Sequence, residues 1–307
     1  MRKSLISPVF LLCTLYCCQT FNPQNTKTQL TYISSAEVGQ YPSGSTISFH
    51  KEHFYLMGDE ARSLIVLDTS LTITDTIEVF PGTVSRIQKV DKADIESSEW
   101  IGGRLYLFGS GSVTTTRDSG FVFNPDDRQV LRLDLGVFYR KMINTGIPAL
   151  NLEGAALVKD HLIFANRSNL SNNENYLLLN PINHLLQDIT KAIRFKLPGD
   201  AGVSGLTYLP KEDLLIFTAS EEDTGSTYDD GAIGGSYVGL IRNISAKLTM
   251  DEVAPDNWMP LVEVHTDFVG QKIESVCAYN EDTDKTELLL VADNDDGTSK
   301  VFRVALH

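Results

Sequence analysis

A two-strand unit that occurs five times constrains the fold of this chain more than any other feature. In each unit a Ser or Glu begins an apolar run, and a short polar turn leads to a second apolar run; residues 151–166 are the clearest copy. The leading residues lie 53, 57, 51 and 70 residues apart and are Ser43, Glu96, Glu153, Ser204 and Glu274. Short strands that recur at roughly 40–50 residues are typical of propeller blades. We therefore predict an all-β fold, a β-propeller with five blades favoured over six.

The ends of the repeat array predict how the ring closes. Residues 29–38 read as a strand before the first unit, and the last unit has only three strands before His307. A leading strand that completes the last blade supplies the missing fourth strand. We predict one propeller domain over residues 29–307. Residues 136–150 are predicted to form a short helix or an irregular crossing, and this segment is the one place that leaves room for a degenerate sixth blade.

The first 18 residues resemble the signal of a bacterial lipoprotein. Arg2 and Lys3 precede an apolar stretch at residues 5–15, which is shorter than the roughly 20 residues that span a bilayer. Leu15, three residues before Cys18, fits a lipobox in which Cys18 receives the lipid. We predict a lipoprotein signal peptide at residues 1–18, a polar tether at 19–28 and a lipid anchor in the cell envelope, periplasmic or outer-membrane. The alternative is a signal peptide that is cleaved without lipidation.

Charge and cysteine content narrow the classes of partner. The formal net charge of −14 disfavours nucleic acids and anionic lipid surfaces, because binding to phosphates requires a basic surface. We predict a monomer with an unidentified small-molecule or protein ligand, no nucleic-acid partner and membrane contact only through the N-terminal lipid. Cys277 is the single cysteine outside the N-terminal segment, and its apolar strand predicts a buried thiol without a disulfide.

The repeated glutamates indicate a candidate metal site. The first strand of each propeller blade lines the central channel, so Glu96, Glu153 and Glu274 are expected near one axis. At an effective dielectric near 20, each close pair of carboxylates costs on the order of a few kcal/mol. A bound cation relieves this repulsion, and hard oxygen ligands suit Ca²⁺. Three alternatives stay open: the glutamates point apart, bond to free backbone N–H groups, or line a wet channel.

Further candidate ligand-binding residues lie near the predicted channel mouth. Arg86, Arg117 and Arg167 are placed to bind an anionic group bidentately, or else to pair with the channel carboxylates. The acidic, glycine-rich insertion at residues 221–236 supplies candidate ligands in Glu221 and Asp230, or is a solvated loop.

Three short motifs resemble an uncharacterised group of exported bacterial β-propellers. The motifs are residues 151–156, residues 107–112 with Arg117, and residues 229–231 before 234–236. That group is similar to the propellers called "esterase-like activity of phytase" and to the SdiA-regulated propellers. The resemblance implies a propeller with a calcium ion at its channel and Glu153 as the best-matched ligand.

Two functions follow as expectations. The first is an envelope lipoprotein that binds a ligand or partner at its channel, with a Ca²⁺ ion. The second is a Ca²⁺-dependent, phytase-like or esterase-like hydrolase of an ester or phosphoester. The sequence contains no Gly-x-Ser-x-Gly elbow, phosphate loop or HExxH motif, so it leaves open whether the protein is an enzyme.

Overall fold

The protein is a five-blade β-propeller. A computed structural model describes residues 28–39, 41–84, 86–167, 174–223, 232–293 and 297–307. These residues form five sheets, and the innermost strands of neighbouring sheets contact one another around a complete ring. The prediction of five blades is confirmed, and the described residues contain no sixth.

Four blades have four strands each and blade 3 has five, and apart from β1 and β17 the strands follow chain order around the ring. Strand β1 is Leu30–Glu37, and blade 1 holds β2 (Gly44–His50), β3 (His53–Gly58), β4 (Ser63–Asp68) and β5 (Ile73–Glu78). Blade 2 holds β6 (Ile95–Ile101), β7 (Arg104–Gly109), β8 (Ser119–Asn124) and β9 (Gln129–Asp134). Blade 3 holds β10 (Leu152–Val158), β11 (His161–Asn166), β12 (Asn175–Pro181), β13 (Lys191–Phe195) and, parallel to β13, the short β17 (Glu252–Val253). Blade 4 holds β14 (Gly202–Leu209), β15 (Leu214–Asp223), β16 (Ala232–Arg242) and β18 (Asn257–Pro260), and blade 5 holds β19 (Ile273–Glu281), β20 (Thr286–Asp293) and β21 (Ser299–Leu306).

Strand β1 closes the ring, as predicted. It pairs antiparallel with β21, from Leu30 opposite Leu306 to Glu37 opposite Lys300, and becomes the outer strand of blade 5. Blade 5 therefore joins the two ends of the described chain, and its fourth strand covers an edge that would otherwise expose unpaired backbone groups.

The helices lie between strands and are short. They are α1 (Gly136–Ile143), α2 (Ile244–Lys247) and α3 (Leu261–Val264), with 3₁₀ turns at Ile182–His184 and Thr266–Phe268. Helix α1 occupies the segment that left room for a sixth blade. Its buried Phe138 lies with its ring centroid 5.9 Å from that of Phe164 in blade 3, so α1 packs against the next blade. Among the described residues, no helix is long and apolar enough to cross a membrane.

Apolar residues pack the blades face to face. Phe108 of blade 2 meets Phe164 of blade 3 edge-on at 4.9 Å, and Phe195 meets Phe217 of blade 4 at 4.8 Å. All four rings are fully buried, and truncation of one such ring typically costs about 3–5 kcal/mol. Cys277 lies in this packing as a buried free thiol, as predicted. The packed faces hold the inner strands β2, β6, β10, β14 and β19 around the channel.

Candidate functional site

Every inner strand carries a β-bulge at an equivalent position. In β6, Ile95 pairs with Gly109 and Ser97 pairs with Phe108, so Glu96 lies between them without a partner in the ladder. The residues in this position of the five strands are Ser45, Glu96, Glu153, Ser204 and Glu274. A bulge bends the strand and redirects the extra side chain. The Ser or Glu that begins each sequence unit is therefore the bulged residue.

The structure corrects the first unit by two residues. Ser45 is the counterpart of Glu96, so the prediction of Ser43 is wrong and the first spacing is 51 residues. Ser43 corresponds instead to Asp94; both precede the strand with positive φ, 50° and 57°. The local sequence has a serine at both candidate positions, which is why the pattern did not separate them.

The two bulged serines join neighbouring blades. The hydroxyl of Ser45 donates to the carbonyl oxygen of Ile95 in blade 2, and Ser204 donates to that of Ile273 in blade 5 at 2.6 Å. Each acceptor is the residue just before the next bulged glutamate. The serines therefore fix the backbone that positions Glu96 and Glu274.

Glu96 is the bulged residue with the least satisfied side chain. None of the residues in the described ranges forms a hydrogen bond with its carboxylate, although it is largely surrounded by protein. Burial raises its pKa well above the ordinary value, and the charges of Asp94, Asp59 and Glu153 raise the pKa further. Glu96 and Glu153 are thus close enough to influence each other, as the predicted ring of carboxylates requires.

The other two glutamates have partners within their own strands or beside them. The Glu153 carboxylate accepts a hydrogen bond of 2.6 Å from the Asn151 side chain. Glu274 Oε1 lies 2.9 Å from Lys272 Nζ, while the buried Glu274 Oε2 has no hydrogen-bond partner within the described ranges. We call this end of the channel the acidic mouth, defined by Asp59, Asp94 and the three bulged glutamates.

Two aspartates that the sequence analysis did not select complete the mouth. Oxygens of Asp59, Asp94 and Glu96 lie within 4.8 Å of one another, and this is the only group of three or more candidate metal ligands in the described part of the chain. Glu153 and Glu274 are not part of that group. Asp59 directly follows the second strand of blade 1, and Asp94 stands two residues before Glu96, so only the fold brings the two aspartates together.

A buried lysine holds the two aspartates. Lys92 Nζ lies 2.8 Å from Asp94 Oδ1 and also contacts Asp59 Oδ2, while Asp59 Oδ1 has no hydrogen-bond partner among the described residues. Burial opposes the charge of Lys92, but attraction to Asp59, Asp94 and Glu96 outweighs it and raises the lysine pKa. Burial raises the pKa of Asp59 to about 6, even though Lys92 acts to lower it. Lys92 is therefore an internal counter-ion of both aspartates, and among the described residues an oxygen of Asp59 stays unused.

The three predicted arginines lie around the mouth. Arg117 donates to Asp94 Oδ2 at 2.7 Å and to Ser112 at 2.8 Å, and Arg86 pairs with Glu60. The carboxylate pairing that the sequence left open is thus formed by Arg86 and Arg117, with acidic residues other than the predicted glutamates. Because Lys92 and Arg117 occupy one oxygen each of Asp94, that residue is the best neutralised acid of the mouth.

Arg167 extends across the boundary between blades 3 and 4. Its guanidinium lies 3.5 Å from the carbonyl oxygen of Ser220, and its stem passes directly over Gly202. A Cβ at Gly202 would lie 2.3 Å from Arg167 Nε, so a larger residue there would displace the Arg167 side chain.

The remaining predicted site residues lie away from this cluster or outside the described residues. Glu221 accepts a hydrogen bond of 2.9 Å from the hydroxyl of Tyr237 in the same blade. Asp230 and Cys18 both lie outside the described residues, as do the predicted signal peptide and all but the last residue of the tether.

Sequence and structure comparisons give a family and a fold. Residues 40–306 match a sequence family described as "Family of unknown function (DUF6929)". A search of curated proteins finds no match.

Solved structures resemble the chain over nearly its whole length. Glutaminyl cyclase of Myxococcus xanthus aligns with 90% of this chain and 96% of its own, at 12% identity and a TM-score of 0.54. The allergen Mala s 1 of Malassezia sympodialis aligns with 89% of this chain and 96% of its own, at 11% identity and a TM-score of 0.49. A DUF4221 member from Bacteroides vulgatus aligns with 91% of this chain and 98% of its own, at 9% identity and a TM-score of 0.44. At these identities the similarity concerns the fold alone.

Proposed function

The chain belongs to the DUF6929 family of unknown function, and we propose that it is a ligand-binding propeller whose acidic mouth holds a divalent cation, best matched by Ca²⁺. One observation carries the proposal: the Glu96 carboxylate lacks hydrogen bonds to the described residues and lies within 4.8 Å of oxygens of Asp59 and Asp94. A cation between these three carboxylates replaces their mutual repulsion with attraction to the ion. A single proton on Glu96 removes only the part of the repulsion that involves Glu96.

The donor set fits a hard cation. The atoms are carboxylate oxygens, and Ca²⁺ takes six to eight such ligands, including waters. Lys92 already neutralises one oxygen each of Asp59 and Asp94, so the ion would use the side of the mouth towards Asp59 Oδ1, Glu96 and Glu153. The ligand proper would then bind to open coordination positions of the ion.

A matched pair of variants tests the cation. Glu96 and Glu99 lie on the same strand three residues apart, and only Glu96 belongs to the mouth. Calorimetric titration with Ca²⁺ should give at least tenfold weaker binding to Glu96→Gln than to wild type, and unchanged binding to Glu99→Gln. Equal affinity of wild type and Glu96→Gln, or no wild-type binding at millimolar Ca²⁺, would contradict the proposal.

A hydrolase is the second candidate, and the position of Glu153 near Glu96 favours it. Burial and the neighbouring acids raise the pKa of Glu96 well above its ordinary value, so a bound cation would replace the proton there. A cation held by Glu96 would polarise the ester or phosphoester, and Glu153 would accept the proton of the attacking water and pass it to the leaving group. A screen of p-nitrophenyl esters and phosphates with Ca²⁺ tests it; turnover equal in wild type and Glu96→Gln counts against it.

The location in the cell is a separate proposal. The lipobox-like sequence before Cys18 supports attachment to an envelope membrane through a lipid on that residue. Mass measurement of the N-terminal peptide should show a diacylglycerol on Cys18, and Cys18→Ala should move the protein to the soluble fraction. An unmodified N-terminus at another residue would contradict the anchor.

A further inference from the structure

The channel has a second polar site, at the end opposite the acidic mouth. All five inner strands enclose a cavity of about 170 Å³ there. Its chemically distinctive lining residues are Ser48, Phe49, Glu99, Trp100, Tyr208 and Cys277. Pockets for drug-sized molecules measure roughly 300–1,000 Å³, so this cavity suits a much smaller ligand.

Glu99 brings a carboxylate to the cavity without a counter-ion. Its Oε1 accepts a hydrogen bond of 2.9 Å from its neighbour's backbone, Trp100 N, and its Oε2 accepts one of 3.3 Å from Leu157 N of the next blade. Within the described residues, no salt bridge joins Glu99 to a lysine, arginine or histidine, in contrast to Asp94 and Glu274 at the mouth. The carboxylate is therefore held in place and has lone pairs left for a ligand.

Aromatic residues line the same cavity as this carboxylate. Trp100 stacks on His50 with centroids 4.1 Å apart, and Phe49 packs against Phe54 at 4.9 Å. These contacts fix the rings before a ligand arrives. Aromatic faces around a single carboxylate attract an organic cation, because the ring quadrupole and the charge act together.

Buried polar atoms of the lining add an independent sign of a ligand. Ser48 is 8% exposed, and its hydroxyl has no hydrogen-bond partner in the part of the chain that the structure describes. The buried indole N–H of Trp100 likewise has none there. Buried polar groups are normally paired, and an unpaired one costs about 1–3 kcal/mol. A hydroxyl oxygen on an ammonium ligand, as in choline, would accept from these donors.

We propose that this cavity, which we call the cation cage, binds a small alkylammonium ion, with Glu99 as counter-ion and Phe49, Trp100 and Tyr208 as walls. The proposal does not depend on the cation at the acidic mouth, because the two sites share no residue.

Protonation of Glu99 should control this binding. Burial raises the pKa of Glu99 to about 7, and two backbone donors moderate the rise. Of the other titratable groups on the surrounding strands, His50 has a lowered pKa, Tyr208 and Cys277 have raised ones, and Glu281 is paired with Lys211 at 3.0 Å. The shifts of His50, Tyr208 and Cys277 move their titration away from pH 7, so Glu99 is the group whose ionisation changes most there. Affinity for a cation should therefore rise as Glu99 ionises.

The test compares choline with 3,3-dimethylbutan-1-ol, a neutral molecule of the same shape. Titration calorimetry of the wild-type protein at pH 8 should show choline binding at least tenfold more tightly than the alcohol. Glu99→Gln should lose at least tenfold in choline affinity, whereas Glu96→Gln at the mouth should bind choline as wild type does. Wild-type affinity should fall about tenfold between pH 8 and pH 6.

Each contrary result overturns the proposal. The first is that the wild type binds choline and the alcohol equally, and the second is that Glu99→Gln keeps the wild-type affinity for choline. The third is that the wild type binds neither choline nor any ion from methylammonium to tetramethylammonium. If Glu99→Gln does not fold, the wild-type pH series decides, and an affinity independent of pH rejects the cage. Choline binding that Glu96→Gln abolishes would place the site at the mouth instead.

Discussion

At the scale of single residues, the protein concentrates buried charge at one end of a narrow channel. Lys92 is 6% exposed and lies between Asp59 and Asp94, where it acts as an internal counter-ion. Burial of such groups is tolerated only when partners are in place, because removal of one partner leaves an uncompensated charge. The stability of the mouth therefore depends on Lys92 as much as on the acids.

The first prediction follows from this pairing. Lys92→Met should lower the free energy of unfolding by about 3–5 kcal/mol, because it removes the cation beside the buried Asp59 carboxylate and leaves Asp94 with Arg117 as its cation. Urea denaturation measures the loss, and added Ca²⁺ should restore part of it. Lys51→Met, a change at an exposed hairpin residue, is the control. Equal stability of the two variants would contradict the role of Lys92.

The second prediction concerns pH. The pKa of Glu99 is raised to about 7 in the folded protein, so the folded state binds more protons than the unfolded state from about pH 4.5 to 7. Stability should therefore fall as pH rises through this window, by up to about 3 kcal/mol for Glu99 alone. Urea denaturation from pH 5 to 8 should show a smaller decrease in Glu99→Gln; an identical decrease would contradict the assignment.

At the scale of strands, the bulge shared by all five inner strands organises the channel. It places the repeated Ser or Glu out of the ladder, and at positions 45 and 204 the side chain bonds to the next blade. Close approach of the strands accompanies it: a Cβ on Gly205 would lie 2.8 Å from the Cα of Ser275. The sequence repeat thus encodes contacts between blades as well as strands.

The third prediction tests these bonds. Ser204→Ala removes the donor to the carbonyl oxygen of Ile273 and should cost about 1–3 kcal/mol, because that oxygen stays buried. Thermal denaturation measures the change, and Ser70→Ala in an exposed turn is the control. A Ser204→Ala protein as stable as the control would show that the bond does not hold blades 4 and 5 together.

The same elements show what the sequence could and could not predict. Strand periodicity and the repeated Ser or Glu predicted the blades and four of the five bulged residues. The sequence analysis missed three site residues, Asp59, Asp94 and Lys92. Asp59 follows a strand of blade 1, whereas Lys92 and Asp94 lie in and after the connector to blade 2, and only the folded ring brings these segments together. Ser43 was chosen over Ser45 because one local pattern fits both, and only the register of β2 against β3 decides between them.

At the scale of the whole molecule, the ring depends on the pairing of β1 with β21. This pairing includes backbone bonds between Gln29 and His307 at its outer end, and it completes blade 5. A propeller gains stability when every blade has two neighbours, so an incomplete blade weakens both adjacent interfaces.

The fourth prediction is that deletion of residues 28–38 destabilises the entire ring. It should lower the unfolding temperature and promote aggregation, because the edge of β21 becomes exposed. Calorimetry and light scattering measure both effects. Deletion of residues 19–27, in the predicted tether, is the control and should change neither the unfolding temperature nor the aggregation. If the protein without β1 unfolds at the same temperature as the full-length protein, ring closure by β1 is dispensable.

The acidic mouth as a cation site is tested most directly by anomalous diffraction from crystals grown with Ca²⁺ and, in parallel, with Tb³⁺. The account predicts one strong peak per chain within bonding distance of the Glu96 and Asp59 carboxylates, which disappears in Glu96→Gln. Peaks confined to other parts of the surface, or none at millimolar ion, would contradict it.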